Sequence, residues 1–381
     1  MSFQRPLISL SGIREKLESI LPQVASGAAE RERERVLPVA QVAAVAETGV
    51  LSVRIPRQFG GPGATVAEAA TLLIAISAAD TNVAQAIRTH FTFVEALMMS
   101  GNEAEEARWF SRSLDGQILS ATGAEIGGRH GEIKTRVEKR GEILIANGRK
   151  FYSTGCLFAD WIASVALNED DQTVVFIIPR DRRGMTMLDD FDAIGQRLTA
   201  SGTTILEDVE VNADEILMVQ MEGIGRTLST TFAQLYLACL HAGIAQKALQ
   251  EAIKFAQEKA RPINYSGVAR SVDDPYVREA VGTMSAAVFG TEAVVLRAAE
   301  AVDRAWQCSN DRELGNQASI AVAKAQLLAA RAAMDVAQTA FDVGGGLCRC
   351  ALAWSRPPLA KRPYRGKPQP AALEGGGDWQ L

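Results

Sequence analysis

Between about Arg14 and Leu114 apolar residues recur every three to four positions. Val66, Ala69, Ala70, Leu73 and Ile74 make one such row, and Val83, Ile87, Phe91, Val94 and Leu97 make another. That spacing places them on one face of a helix, so residues 1–115 are expected to form an all-helical domain. A loop, RIPRQFGGPGAT (Arg54 to Thr65), interrupts the pattern with proline and glycine where turns need them. Its glycines do not follow a strand inside a βαβ unit, so they are no dinucleotide fingerprint. The mixed-charge run RERER (Arg31 to Arg35) is expected to be a solvated helix face.

From Gly116 the period changes to two. TRVEKRGEILIANGRKFYSTG, DWIASVAL, TVVFIIPRD and TTILEDVEV alternate polar and apolar positions and are divided by Asn-Gly, Gly and Asp, which favour turns. Residues 116–222 are therefore expected to form a β-barrel or sandwich. The helical period returns over 223–345 in three long alanine-rich segments ending near Ala260, Cys308 and Val343. Such helices pair antiparallel in a bundle, and three of them want a fourth. In its place stands GLCRCALAWSRPPLAKRPYRGKPQP, with Pro357, Pro358, Pro363, Pro368 and Pro370. Each proline inside a helix costs about 3 kcal/mol, so residues 346–376 as written cannot be that helix; 377–381 form a short tail.

Composition narrows the function classes. The chain has 381 residues, 47% of them apolar, and a net charge of −5 with both signs interleaved. It is expected to be a globular protein of two or three lobes without a broad basic face, which argues against nucleic acid as a partner. The N-terminus lacks a signal-peptide pattern and no uncharged apolar run reaches about 18 residues, so a cytoplasmic location and no membrane partner are expected. The five cysteines lack zinc-ligand spacing and form no disulfide framework. No motif supports Ser-His-Asp catalysis.

The order of helical lobe, β lobe and helical bundle, with NGRKFYSTGCLFADWI (Asn147 to Ile162), GQRLTASGTTILEDVEV (Gly195 to Val211), RPINYSGVARSVDDPY (Arg261 to Tyr276) and FDVGG (Phe341 to Gly345), resembles the acyl-CoA dehydrogenase superfamily. The four motifs look like its flavin monooxygenase branch, which contains dibenzothiophene monooxygenases and sulfur-acquisition oxidoreductases. The resemblance spans nearly the whole chain up to Gly345. It implies an α+β fold of N-terminal helices, middle β-barrel or sandwich and C-terminal bundle, with a flavin ring between the β lobe and the bundle.

By the same resemblance, LSATGAEIGG (Leu119 to Gly128) borders the ring, with Thr122 and Gly123 as contacts, although the dehydrogenase pattern of T/S-E-P and G-S-D is absent. FYSTG brings Tyr152, Ser153 and Thr154 to the ring edge, Thr154 being the candidate for a bond to the reactive nitrogen N5. The plain alternative for that stretch is a polar turn after Asn147-Gly148. Arg261 would hold a flavin phosphate, for which guanidinium is well suited, or would merely complement a helix C-terminus. Gly344 and Gly345 are a helix C-cap, a close approach to the cofactor, or both. His90 corresponds to a cavity histidine in the resembling enzymes, while a lone histidine on an apolar face is commonly a satisfied core residue. His130 and His241 have no partner visible in sequence.

The resemblance implies a flavin-dependent monooxygenase using reduced FMN from a separate flavin reductase, with molecular oxygen and a small organosulfur substrate, in a homotetramer. The alternatives are an FAD-dependent acyl-CoA dehydrogenase and an inactive flavin-binding remnant. Glu374-Gly375 sits at a tempting distance for the dehydrogenase base, but PAALEGGGD lacks the flanking pattern. Back-translated and read one base later, Leu347 to Ala371 can yield the branch's usual sequence, close to LGLDRHWRNARTVASHNP. The expectation is a frameshift near Gly346, restored before Gly377, since GDWQL again resembles the family's ending.

Overall fold

A computed structural model describes residues 9–127, 129, 131–217, 223–262, 265–308 and 311–344. The helical lobe comprises α1 (Leu10–Ala25), α2 (Ala28–Glu34), α3 (Val39–Glu47), α4 (Val66–Ala79), α5 (Thr81–Ala86), α6 (Arg88–Met98) and α7 (Glu103–Leu114). Its starts are chemically marked. Thr65 and Glu68 form a reciprocal capping box at α4, and the Asp80 carboxylate caps α5. The apolar row from Val83 to Leu97 does not belong to one helix; it breaks at Ile87 between α5 and α6.

The RERER run is not a solvated face throughout. Arg31 donates to the Asp80 carboxylate at 2.9 Å and to the carbonyls of Val24 and Ser26. Glu32 is buried and accepts from Asn82. Arg33 pairs with Glu30 and Glu34 in solvent, and Arg35 reaches Asp189 at 3.1 Å. The run docks α2 onto the start of α5 because its charges find fixed opposite partners there.

The β lobe comprises β1 (Leu119–Thr122), β2 (Arg136–Arg140), β3 (Ile143–Lys150), β4 (Trp161–Leu167), β5 (Thr173–Pro179), β6 (Met185–Met187), β7 (Thr204–Val211) and β8 (Ile216–Leu217). One sheet runs β6-β7-β3-β2-β4-β5-β8, and β1 pairs parallel with the first half of β4. Asn147-Gly148 is not a turn. It lies inside β3 at a register shift against β7, where a Cβ on Gly148 would stand 2.2 Å from Thr135 Oγ1. The hairpin turn falls instead at Gly141-Glu142.

The bundle is α8 (Gly223–Glu258), α9 (Pro275–Gln307) and α10 (Arg312–Gly344). Alanines at Ala245, Ala248, Ala252, Ala337 and Ala340 fill its inner seam. The far half of α8 crosses α4 closely: a Cβ on Gly243 would meet Ser77 Cβ at 2.5 Å. By length and composition α8 and α9 could each cross a membrane, with mean hydropathy 1.2 over the richest window. The α8 window is 67% buried inside the protein and the α9 window 22%. Gly345 and the whole proline-rich segment lie outside the described residues, as do His130 and Glu374.

Candidate flavin site

The inner edge of the β lobe is built from hydroxyls. β1 ends at Thr122, and the exposed Gly123 and Ala124 follow it, Ala124 accepting from the Phe151 amide at 2.8 Å. After β3 the chain turns through Tyr152, Ser153 and Thr154. Tyr152 holds φ at 56°, a left-handed conformation uncommon outside glycine; the residue is 49% exposed, with its ring beside Phe151 and Phe191. Behind the turn, Thr122 Oγ1 meets Ser153 Oγ at 2.9 Å, and Thr204 donates to Ser153 at 2.8 Å. Thr154 Oγ1 meets Ser201 Oγ at 2.9 Å, and Ser201 meets Thr199 at 2.7 Å.

This ladder redistributes the expected contacts. Thr122 and Ser153 are buried and bonded to each other, so they brace the turn from behind, while Gly123 and Tyr152 stand at its open edge. Thr154 is 5% exposed, with its hydroxyl held by Ser201 and its carbonyl accepting from Ser120 and Thr89. Gly155, at φ 82°, then presses against α5: a Cβ there would stand 2.1 Å from the Ala86 carbonyl. The polar turn is thereby fixed against the α5–α6 junction.

His90 is a core histidine. It has no exposure; Nδ1 accepts from the Leu119 amide at 3.1 Å, leaving Nε2–H to donate to the Leu51 carbonyl at 3.2 Å. Burial pushes its pKa down to about 4, so the ring is neutral at pH 7. Nδ1 holds the start of β1 and Nε2 the Leu51 turn, so neither nitrogen is left for substrate. Of the residues the sequence put forward for catalysis, His90 therefore falls behind the wall.

Other groups with unpartnered buried atoms near the turn were, His241 apart, missed in sequence. Arg88, first residue of α6, has a buried Nε without a hydrogen bond, and Gln85, three residues earlier, has a buried unsatisfied Oε1. On α8, Tyr236 donates to the Ala84 carbonyl at 2.6 Å, and His241, five residues on, carries an unpartnered Nδ1 with its pKa pushed down by burial to about 4. Cys156 and Cys239 are buried with pKa pushed up to about 12, so neither supplies a thiolate.

Arg261 stands exposed just beyond α8, and Gly344 is the buried last residue of α10. Unsatisfied polar atoms at a lobe junction, on the α5–α6 segment that also carries Thr89 against the braced turn, fit a polar ring such as a flavin. A closed protein core would leave such atoms paired.

These features define an α–β–α architecture of the acyl-CoA dehydrogenase type. Residues 12–117 match the acyl-CoA dehydrogenase N-terminal domain and residues 235–349 its C-terminal domain, together more than half of the chain. The chain belongs to the acyl-CoA dehydrogenase family. Within it, the chain is 26% identical over 336 residues to dibenzothiophene monooxygenase of Rhodococcus erythropolis, covering 84% of this chain and 80% of that protein. It is 27% identical over 335 residues to the probable FMNH2-dependent monooxygenase SfnC of Pseudomonas putida, covering 85% and 82%. Its fold matches TdsC from Paenibacillus sp. A11-2, solved with FMN and indole, at TM-score 0.80, 24% identity and coverage of 88% and 87%. It also matches methanesulfinate monooxygenase MsuC of Pseudomonas fluorescens at TM-score 0.82, 24% identity and coverage of 94% and 93%.

Proposed function

We propose that this chain is a reduced-FMN-dependent, two-component monooxygenase acting on a small organosulfur substrate, located in the cytoplasm. The observation that carries the reading is the braced turn Tyr152–Thr154 set against the junction where Arg88 and Gln85 lack partners. Gly123 and Tyr152 would border the ring at its open edge, Thr154 would lie next to N5, Arg261 would meet the phosphate, and Gly344 and Gly345 would allow close approach. Reduced FMN, when bound, supplies the electrons with which one atom of molecular oxygen passes to the substrate and the other leaves as water. The protein's task is to orient and to exclude water. Thr122, Ser153, Thr199, Ser201 and Thr204 do the first by fixing the turn, and the apolar seam of α4, α5 and α8 does the second.

The test pairs two assays on the purified chain. NADH, a flavin reductase, FMN and an organosulfur substrate should together give oxygenated product. Turnover of an acyl-CoA with an artificial electron acceptor, and none in the first assay, would replace the reading with a dehydrogenase.

The same reading extends to the tail and the assembly. The C-terminal family match stops at residue 349, at the start of the proline-rich segment, which fits a frameshift over 346–376. DNA at the 3′ end and the intact mass of the protein decide it: codons at Lys367 to Pro370 that do not overlap into S-H-N-P refute the frameshift. A homotetramer is the expected assembly.

A further inference from the structure

Hydroxyl hydrogens can be counted, and at the braced turn the count fixes a direction. A serine or threonine hydroxyl has one hydrogen to give and two lone pairs to receive, so in a chain of hydroxyls the first committed donor orients the rest. Thr199 is committed: its Oγ1 donates to the backbone carbonyl of Gln196 at 3.0 Å, and a carbonyl can only accept. With that hydrogen spent, the 2.7 Å contact between Thr199 and Ser201 requires Ser201 to donate. Ser201 then has none left, so the 2.9 Å contact with Thr154 requires Thr154 to donate. The other partner of the Thr154 hydroxyl, the Tyr152 carbonyl at 3.4 Å, is also an acceptor. Either way the Thr154 hydrogen stays inside the protein, and its oxygen offers only lone pairs to a group docked against it.

The rest of the arrangement holds that direction. The Thr154 amide donates to the Tyr152 carbonyl at 2.7 Å, and the Thr154 carbonyl accepts from Ser120 and Thr89. Thr199 and Ser201 are buried, so water does not compete for their hydrogens. The segment that carries them is tied to the turn by two backbone bonds, Gly155 to the Thr199 carbonyl at 2.9 Å and Ser153 to the Gly202 carbonyl at 3.2 Å. Gln196 and Ala200, which flank Thr199, hold φ at 53° and 47°. Such left-handed backbone is costly outside glycine, and here it accompanies the bond that orients the chain.

We infer that Ser201 and Thr199 are positioning residues that hold the Thr154 hydroxyl as a hydrogen-bond acceptor, so that the edge it borders takes a ring nitrogen carrying hydrogen. This deepens the monooxygenase reading and rests on it for the ligand. With Thr154 next to N5, reduced flavin satisfies every group, because its N5 bears a hydrogen to give. Oxidised flavin, whose N5 can only accept, leaves one acceptor unpaired: N5 itself, or the Gln196 carbonyl if the chain turns round. The chain therefore contributes the worth of one neutral hydrogen bond to discrimination between the two states, about 3- to 10-fold in affinity.

The experiment measures dissociation constants of the full chain for oxidised FMN and, under nitrogen, for reduced FMN. Wild type is compared with Thr199→Val, Thr199→Ser and Ser201→Ala. A further probe is oxidised 5-deaza-FMN, which has C–H in place of N5. Wild type should bind 5-deaza-FMN at least as tightly as oxidised FMN. Thr199→Val keeps the side-chain shape but lets Ser201 donate to Thr154 and Thr154 donate outward. The ratio of oxidised to reduced dissociation constants should then fall about 3- to 10-fold. Ser201→Ala releases the same hydrogen by removing its acceptor and should lower the ratio likewise, whereas Thr199→Ser should restore the wild-type ratio. A merely structural Thr199 would weaken both states alike. An unchanged ratio in either Thr199→Val or Ser201→Ala, whichever keeps the wild-type circular dichroism, overturns the inference. So does a wild type that binds oxidised FMN more tightly than 5-deaza-FMN, because Thr154 would then be donating to N5. Oxygenation with reduced FMN would survive both of those results and leave the monooxygenase reading standing. A chain that binds FMN in neither state removes that reading, and the inference with it.

Discussion

At the scale of single residues, the ion pair of Lys150 with Glu125 ties the loop after β1 to the end of β3. Lys150 has no exposure and donates to Glu125 at 2.6 Å, while Glu125 also accepts from Thr135 Oγ1 and from the amides of Lys134 and Thr135. Burial pushes the Glu125 pKa up, and the bonds from Lys150 and Thr135 outweigh it, holding it below the ordinary value. Lys150→Met leaves an uncompensated carboxylate inside the lobe and should cost about 3–5 kcal/mol in urea unfolding. Adding Glu125→Leu should recover most of the loss; failure to recover would show that the pair holds the loop by more than charge. Two histidines whose ring nitrogens lie away from solvent set an acid limit. His90 and His241 have folded pKa values of about 4 against 6.5 unfolded. A depressed folded pKa means stability present above 6.5 and lost as pH falls toward 4, because the unfolded chain takes up the protons. Urea unfolding at pH 5 against pH 7 should show a loss of about 2 kcal/mol per histidine, and a flat profile would place the rings in contact with solvent.

Among the elements, tight crossings and caps carry the next predictions, and they also explain what the sequence displayed. Asp303 on α9 accepts from the Val66 and Ala67 amides at the start of α4. Asp303→Asn should weaken that helix–helix tie, and Asp303→Ala should cost about 1–2 kcal/mol as a lost cap. Gly243→Ala should cost about 1–3 kcal/mol by forcing α8 off α4, read as a lower urea midpoint with unchanged slope. The long helices were legible because 3.6-residue periodicity sustained over segments of 33 and 36 residues has no competing interpretation. The ends expected near Ala260, Cys308 and Val343 accordingly fall close to Glu258, Gln307 and Gly344. What failed did so for physical reasons. Ile87 is apolar on both sides of a helix break, so the periodic row passed over it. Asn147-Gly148 has turn chemistry but is recruited to a register shift, because Thr135 crosses too close for any side chain. RERER has surface composition but fixed partners. Of the site, the hydroxyl turn was visible as a motif, whereas Arg88 and Gln85 become conspicuous only when the burial that leaves them unpaired is known.

For the whole molecule, the proposed assembly would use the outer face of the bundle. α9 buries Met284, Val288, Val295, Ala298 and Val302 against its neighbours, yet presents Phe289 at 78% exposure with Ala286, Gly290 and Ala293 around it. No atom lies within 4 Å of a Cβ placed on Gly282 or Gly290, so the surface beside Phe289 is open. α10 adds Ile320, Leu327 and Leu328, all exposed. Isolated apolar side chains on a surface need no explanation, but a nearly fully exposed phenylalanine among small side chains on a long helix is suited to a partner. Two copies laid face to face would cover it, and the small side chains around Phe289 would let the helices approach closely. A homotetramer then predicts a particle of about four times the 40.9 kDa chain mass in light scattering. Phe289→Glu should lower that mass while leaving the far-ultraviolet circular dichroism unchanged, since the side chain touches no core. A chain that is monomeric before the substitution, with the face exposed, would refute the assembly.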